Sequence, residues 1–231
     1  MAYTYKYPRP MVTVDMPLFR YHQGQVEVLL IQRDRPPFAG RWAMCGGFIE
    51  MEEPLIVSAQ RELQEEVGVS DVPLVELSVA GDPGRDPRGR TISVIFAGIL
   101  SPPFPELRAG DDARNARWFP LSALPRLAFD HQEVLEGTVE ELRFRSLWRG
   151  YALAFMPEKF SREMWRDVLT DFTGTDRPDF FLQLIEQLGW IVLSSRTLFR
   201  KQVTNETIFR ASFGVIRSAW EALLISFGGG K

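Results

Sequence analysis

Residues 11–14 are apolar except for Thr13, and a second apolar run, broken only by Glu27, follows at residues 26–31. Both read as strands, with His22-Gln23-Gly24-Gln25 as the turn between them. Pro36-Pro37-Phe38-Ala39-Gly40 interrupts this pattern ahead of Trp42 and the glycine pair Gly46-Gly47. The period then becomes four. Leu55, Ala59, Leu63 and Val67 fall on one stripe, so residues 54–67 are predicted helical. Pro54 suits the first turn of that helix, and Gly68 suits the position just past its end. Residues 74–79 and 91–97 return to β character, and residues 117–119 read as one more short strand. Strands around a central helix, without regular βαβ alternation, predict an α+β sandwich.

The pattern changes after about Pro125. Residues 132–147, 162–172 and 179–188 read as helices, the second capped by Ser161 and the third preceded by Pro178 and stopped by Gly189. Residues 190–193 read as a strand. A boundary is expected between Pro125 and Leu147, giving one domain over residues 1–135 and a smaller, mostly helical one over residues 136–231.

Composition adds exclusions. A hydrophobic fraction of 45% with 25% charged residues is ordinary for a soluble domain, and a formal charge of −3 gives no whole-chain signature of nucleic-acid binding. The single cysteine, Cys45, excludes an internal disulfide. Prolines at 8, 10 and 17 and the lack of a long apolar run argue against a secretory signal and a membrane span. A cytoplasmic protein with no membrane partner is expected.

The predicted helix at 54–67 carries the chemistry. Glu62 lies three and four residues from Glu65 and Glu66, so the three carboxylates are neighbours. They repel one another unless a cation joins them, and hard ions such as Mg²⁺ or Mn²⁺ prefer such oxygens. Arg61, four residues before Glu65, can pair with and orient one of them. A merely solvated acidic face would explain the charges, but not the glycine pair, Glu53 or Gly68.

The order Gly47, five residues, Glu53, seven residues, Arg61-Glu62-Leu63, one residue, Glu65-Glu66, one residue, Gly68-Val69 resembles the complete Nudix box. That resemblance implies an α/β/α Nudix sandwich and metal-assisted hydrolysis of a nucleoside diphosphate linked to another moiety. It implies Glu62, Glu65 and Glu66 as metal ligands with the Gly46 carbonyl, supported by Glu53 and Arg61. The base is either a box glutamate or an acid from a distant loop. Asp111 and Asp112 are candidates, against the alternative of a turn with solvated charge.

Between two predicted strands, Arg85, Arg88 and Arg90 offer forked donors to phosphate, unless the loop is simply solvated. Arg41, in GRWAMCGGF, joins them as a candidate substrate contact. GDPGRDPRGRTISV, GRWAMCGGF and LAFDH together resemble ADP-ribose pyrophosphatase-like Nudix hydrolases and Nudix-related transcriptional regulators of NAD metabolism. Cys45 stands where the family often has proline and reads as a packed small residue; His131 reads as a helix-start or interface residue.

The C-terminal part resembles the regulators' winged helix in order. Met164, Trp165, Val168, Leu169 and Phe172 have core spacing, as do Phe181, Leu184, Ile185 and Leu188. The candidate recognition helix is poorly charged for DNA, with Arg177 opposed by Asp176, Asp179 and Glu186. From Ser194 onward, Arg196, Arg200, Lys201, Arg210, Arg217 and Lys231 oppose Glu206 and Glu221, a net +4. Residues 210–227 read as strand plus helix, unlike a short wing. Two readings stand: a metal-dependent hydrolase of ADP-ribose or a relative, and an ADP-ribose-responsive DNA-binding regulator. A homodimer is implied by the resemblance alone.

Overall fold

The computed structural model describes residues 6–108, 110, 113–195 and 197–210. Strand β1 (Met11–Met16) stops at Pro17, which cannot donate to a ladder, and β2 (Leu18–His22) resumes after it. A two-residue turn leads into β3 (Gln25–Arg33); Gln23 at φ 50° and Gly24 at φ 83° give it the twist that hairpins favour. Short strands β4 (Trp42–Ala43) and β5 (Cys45–Phe48) precede helix α1 (Leu55–Val67). Strands β6 (Leu74–Ala80), β7 (Thr91–Leu100) and β8 (Ala113–Pro120) complete an eight-stranded mixed sheet. Its central path runs β4-β3-β2-β7-β1-β5, with β6 paired to β7 and β8 to β3. β1 pairs antiparallel with β5 and parallel with β7, which brings Asp15 opposite Gly46 and Thr13 opposite Ser93.

Helix α1 ends as its sequence dictates. Gly68 adopts φ 71°, a left-handed conformation open to glycine, and its N–H closes on the Gln64 carbonyl at 3.1 Å. Ala59, Leu63 and Val67 are fully buried, whereas Leu55 is only half-buried. Glu66 is buried beside them, which the four-residue stripe did not announce.

The chain forms two units that interleave along the sequence. The first comprises Met1–Leu18, Val28–Gly98 and Pro105–Thr138; the second comprises Phe19–Glu27, Ile99–Phe104 and Val139–Lys231. Helix α2 (His131–Arg149) begins in the first and ends in the second.

In the second unit, β9 (Lys159–Ser161), α3 (Arg162–Thr173), α4 (Pro178–Gln187), β10 (Ile191–Leu193) and β11 (Leu198–Lys201) follow in the strand–helix–helix–hairpin order of a winged helix. The three strands form an antiparallel sheet in the order β10-β11-β9. A short α5 (Asn205–Arg210) follows. Ser161 Oγ caps α3 by accepting from the Met164 N–H at 3.1 Å. Trp165, Val168, Leu169 and Phe172 are buried, and Met164 is half-buried. On α4 the buried positions are Leu182, Leu184 and Ile185; the expected Phe181 and Leu188 are only half-buried.

Lys201 corrects the picture of a basic, solvent-facing tail. Its ammonium donates to the Met156 carbonyl at 3.1 Å and to Asn205 Oδ1 at 3.0 Å, and burial pulls its pKa down to about 8. Arg200 beside it is exposed. Arg196, Arg217, Glu221 and Lys231, like the strand and helix expected over residues 210–227, lie outside the described residues beyond Arg210 itself. No helix among the described residues is long and apolar enough to cross a membrane.

Gly98 tests this packing. A Cβ there would lie 2.6 Å from Leu18 Cδ2 and 2.8 Å from Val72 Cγ1. Gly98→Ala should destabilise the protein by about 1–3 kcal/mol, read from the urea midpoint. An unchanged midpoint would contradict the close approach.

Candidate active site

A cleft of about 850 Å³ lies in the first unit. Helix α1 supplies Arg61, Glu62, Glu65 and Glu66 to its lining, and strand β5 supplies Gly46, Gly47 and Phe48. Strands β1 and β7 add Thr13, Asp15 and Thr91, while the loop before β7 adds Arg85, Asp86 and Arg88. Phe129 and His131 enter from the start of α2.

The acidic helix places its carboxylates in different environments. Glu66 is only 8% exposed, and one oxygen accepts from the Gly46 N–H at 2.8 Å. Burial pushes its pKa well above the usual carboxylate range, the Gly46 hydrogen bond works against that, and Glu62 and Asp15 reinforce it. Arg61 holds the remaining acids: Nη1 reaches Glu62 at 2.6 Å and Glu65 at 3.3 Å, and Nε reaches Glu53 at 3.1 Å. Its Nη2 donates to the Phe48 carbonyl at 3.1 Å, so one guanidinium ties α1 to the end of strand β5. Glu53 also accepts from Ser58 Oγ at 2.9 Å.

The glycine pair is required by close approach. A Cβ on Gly46 would lie 2.4 Å from the Val14 carbonyl and 2.5 Å from Asp15 Oδ1. One on Gly47 would lie 2.3 Å from the Glu62 carboxylate.

Two of the four expected substrate arginines line the cleft, and both are engaged by acids. Arg85 forms a fork with Asp130 at 2.8 and 2.9 Å. Arg88 grips Asp86 at 3.0 and 2.7 Å while its guanidinium stacks 5.0 Å from the Phe48 ring and 5.3 Å from the Phe129 ring. Burial alone would raise the Asp86 pKa, but the Arg88 hydrogen bonds overcome it and bring the pKa down. Arg41 and Arg90 are not among the lining residues; Arg90 Nη1 donates to the Thr91 carbonyl at 3.4 Å. Asp111 and Asp112 lie outside the described residues. Their neighbour Gly110 lines the cleft, with its N–H on the Glu66 carbonyl at 3.0 Å.

Asp15, Phe129 and the depth of His131 were not legible as site features. Asp15 is 7% exposed and sits in a strand of apolar neighbours, where a lone acid carries no periodic signal. His131 is indeed the first residue of α2, yet it is also buried in the cleft wall. Its Nδ1 accepts from the Met44 N–H at 3.1 Å. Burial lowers its pKa despite the opposing pull of Asp15, which favours the neutral ring. Phe129 holds φ 51°, an uncommon conformation for an aromatic residue, and its ring lies beside both Arg88 and His131. Cys45 is buried, and burial raises its thiol pKa, consistent with a packed small residue.

Residues 9–138 match the family model for the NUDIX domain. The chain belongs to the NUDIX family. It is 42% identical over 132 residues to an ADP-ribose pyrophosphatase of Methanocaldococcus jannaschii, covering 56% of this chain and 73% of that protein. It is 31% identical over 159 residues to the ADPR responsive transcriptional repressor NtrR of Acinetobacter baylyi, covering 67% of this chain and 63% of the repressor. The Shewanella oneidensis NrtR structure solved with a 27mer DNA superposes with a TM-score of 0.70 at 26% identity, covering 85% of this chain and 95% of that one.

The donors of this NUDIX site fit a hard divalent ion in kind. They are all oxygens, and Glu66 is buried with burial and two carboxylates opposing its charge. Among the described residues no three ligating side chains converge on one point; Arg61 holds Glu62 and Glu65 instead.

The two glycines make separable predictions. Gly46→Ala meets backbone that cannot yield and should destabilise by about 1–3 kcal/mol or more. Gly47→Ala meets only the end of a flexible side chain, so Glu62 should turn aside with little change in the unfolding midpoint. Equal destabilisation by both would contradict the geometry.

Proposed function

We propose that this NUDIX protein is a hydrolase that uses Mg²⁺ or Mn²⁺ to cleave the pyrophosphate of ADP-ribose or a related nucleoside diphosphate derivative. The buried Glu66 carboxylate, set in a cleft lined by further acids and by Arg85 and Arg88, carries this reading. Similarity to an ADP-ribose pyrophosphatase supports the substrate class.

Glu62, Glu65, Glu66 and the Gly46 carbonyl would hold the ion. When bound, it would neutralise phosphate charge and lower the pKa of an attacking water. Glu53 holds the Arg61 guanidinium, and Arg61 in turn orients Glu62 and Glu65, which would exchange that contact for the ion. Arg85 and Arg88, held by Asp130 and Asp86, present positive charge across the cleft. Water adds to one phosphorus, the bond to the bridging oxygen breaks, and a proton passes to a carboxylate. That acceptor is a box glutamate or an acid from a distant loop, for which Asp111 and Asp112 are the candidates. ADP-ribose would give AMP and ribose 5-phosphate.

Glu66→Gln retains an acceptor for the Gly46 N–H but removes the charge. Turnover of ADP-ribose should fall at least about 100-fold, and the rise in Tm that Mg²⁺ gives the wild type should disappear. Near-normal turnover with saturating Mg²⁺ would refute the assignment.

A second reading, an ADP-ribose-responsive regulator that binds DNA as a homodimer, is supported by the strand–helix–helix–hairpin order of the second unit and by the NtrR and NrtR relatives. Charge on α4 counts against it: Asp179 is paired with Arg162 and Arg166, at 3.2 and 2.5 Å. Arg200 is exposed and a candidate phosphate contact, whereas the inward-turned Lys201 is not. Affinity for selected genomic fragments should fall with salt at a slope of about −0.9 per phosphate neutralised. Arg200→Ala should flatten that slope, and ADP-ribose should change the affinity. No fragment binding better than random DNA at low salt would remove this reading.

A further inference from the structure

The floor of the cleft is polar where a sheet face ordinarily packs apolar side chains. Thr13, Asp15, Thr91 and Ser93 project from the paired strands β1 and β7, and none is more than 7% exposed. Buried carboxylates are costly unless paired. Asp15 receives a hydrogen bond from Ser93 Oγ on Oδ2, but its two nearest cationic or ring-nitrogen neighbours stand back. His131 Nε2 lies 3.9 Å from Oδ1, and Arg85 Nη2 lies 3.9 Å from Oδ2.

These gaps are too long for hydrogen bonds. Each would admit one shared hydroxyl oxygen about 2.8 Å from both atoms, at a bridging angle of about 90°, tighter than tetrahedral. The donors and acceptors match. His131 Nδ1 already accepts from Met44, so its Nε2 carries the proton and donates. Arg85 Nη2 gives one hydrogen to Asp130 at 2.9 Å and has a second. A hydroxyl in either gap therefore accepts from nitrogen and donates to Asp15.

We propose that Asp15, with His131 and Arg85, is a recognition site for a vicinal diol of a ribose-type sugar, each hydroxyl bridging one carboxylate oxygen to one nitrogen. The inference rests on the proposed nucleoside diphosphate substrate and adds the group that selects its sugar. A phosphate placed in the same position would meet Asp15 and be repelled, so the site selects a neutral polyol against a phosphomonoester. The diol could belong to the adenosine ribose or to the distal ribose.

The test is calorimetric titration of the full chain in EDTA, which stops turnover. The probes are ADP-ribose, its 2-deoxy analogues in either ribose, AMP and ribose 5-phosphate, each against wild type and Asp15→Asn. Loss of the engaged hydroxyl should weaken binding about 10- to 100-fold. Asp15→Asn should do the same, and the two losses should not add, because they remove one interaction. Coupling with the adenosine-side analogue assigns the diol to that ribose; coupling with the distal analogue assigns it to the other. Equal binding of ADP-ribose and both deoxy analogues by the wild type overturns the proposal, even if Asp15→Asn does not fold. Should ADP-ribose bind neither in EDTA nor with Ca²⁺ in its place, the substrate reading fails separately. AMP and ribose 5-phosphate then carry the same Asp15 comparison, and binding of neither overturns the diol site as well.

Discussion

Glu66 is the constraint on which the first unit is organised. A carboxylate on the buried side of a helix is destabilising in a metal-free protein, because burial disfavours its charge. Its placement requires the Gly46 N–H at 2.8 Å, and that approach requires a residue without a side chain between Val14 and Asp15. Gly47 is needed in turn so that Glu62 can lie against the same backbone. Arg61 then gathers Glu53, Glu62 and Glu65, limiting the repulsion among the remaining acids. The sheet register, the helix cap at Gly68 and the glycine pair of β5 all serve to bring these atoms to one cleft.

Much of this was readable in the chain because α1 has period, caps and length. The expected residues 54–67 and the observed Leu55–Val67 differ by one residue. Elements that are short or isolated carry no such signal. Strands β4, β9 and β11 have two, three and four residues, too few to show alternation. Strand β2 was hidden because Pro17 and the Gln23-Gly24 turn leave it only five residues. Asp15 stands alone among apolar neighbours, and its meaning comes from Ser93 and His131, 78 and 116 residues away in sequence.

Charge was the least legible property. The loop arginines read from sequence as donors awaiting phosphate, but Arg85 and Arg88 are already forked onto Asp130 and Asp86. Such pairing fixes their direction while reducing the charge they offer, so they orient more than they attract. By residue type Lys201 belongs to a basic surface, yet it satisfies a carbonyl and an amide inside the second unit. A charge tally sees residue type and cannot see which way a side chain turns.

The central claim is that Glu66 is kept buried and charged for a cation. A pKa raised on folding means the folded state holds its proton over a pH range in which the unfolded state has released it. Stability from this group is therefore complete below about pH 4.5, the unfolded value, and is lost as pH rises toward the folded pKa. His131, whose pKa is lowered, acts in the opposite sense, so the quantity to follow is the difference between wild type and Glu66→Gln. The most direct measurement is Tm against pH for both proteins, with EDTA and with Mg²⁺. The account predicts that in EDTA the wild type loses stability relative to Glu66→Gln as pH rises, and that Mg²⁺ reverses the difference. Parallel curves in EDTA that Mg²⁺ leaves unchanged would contradict it.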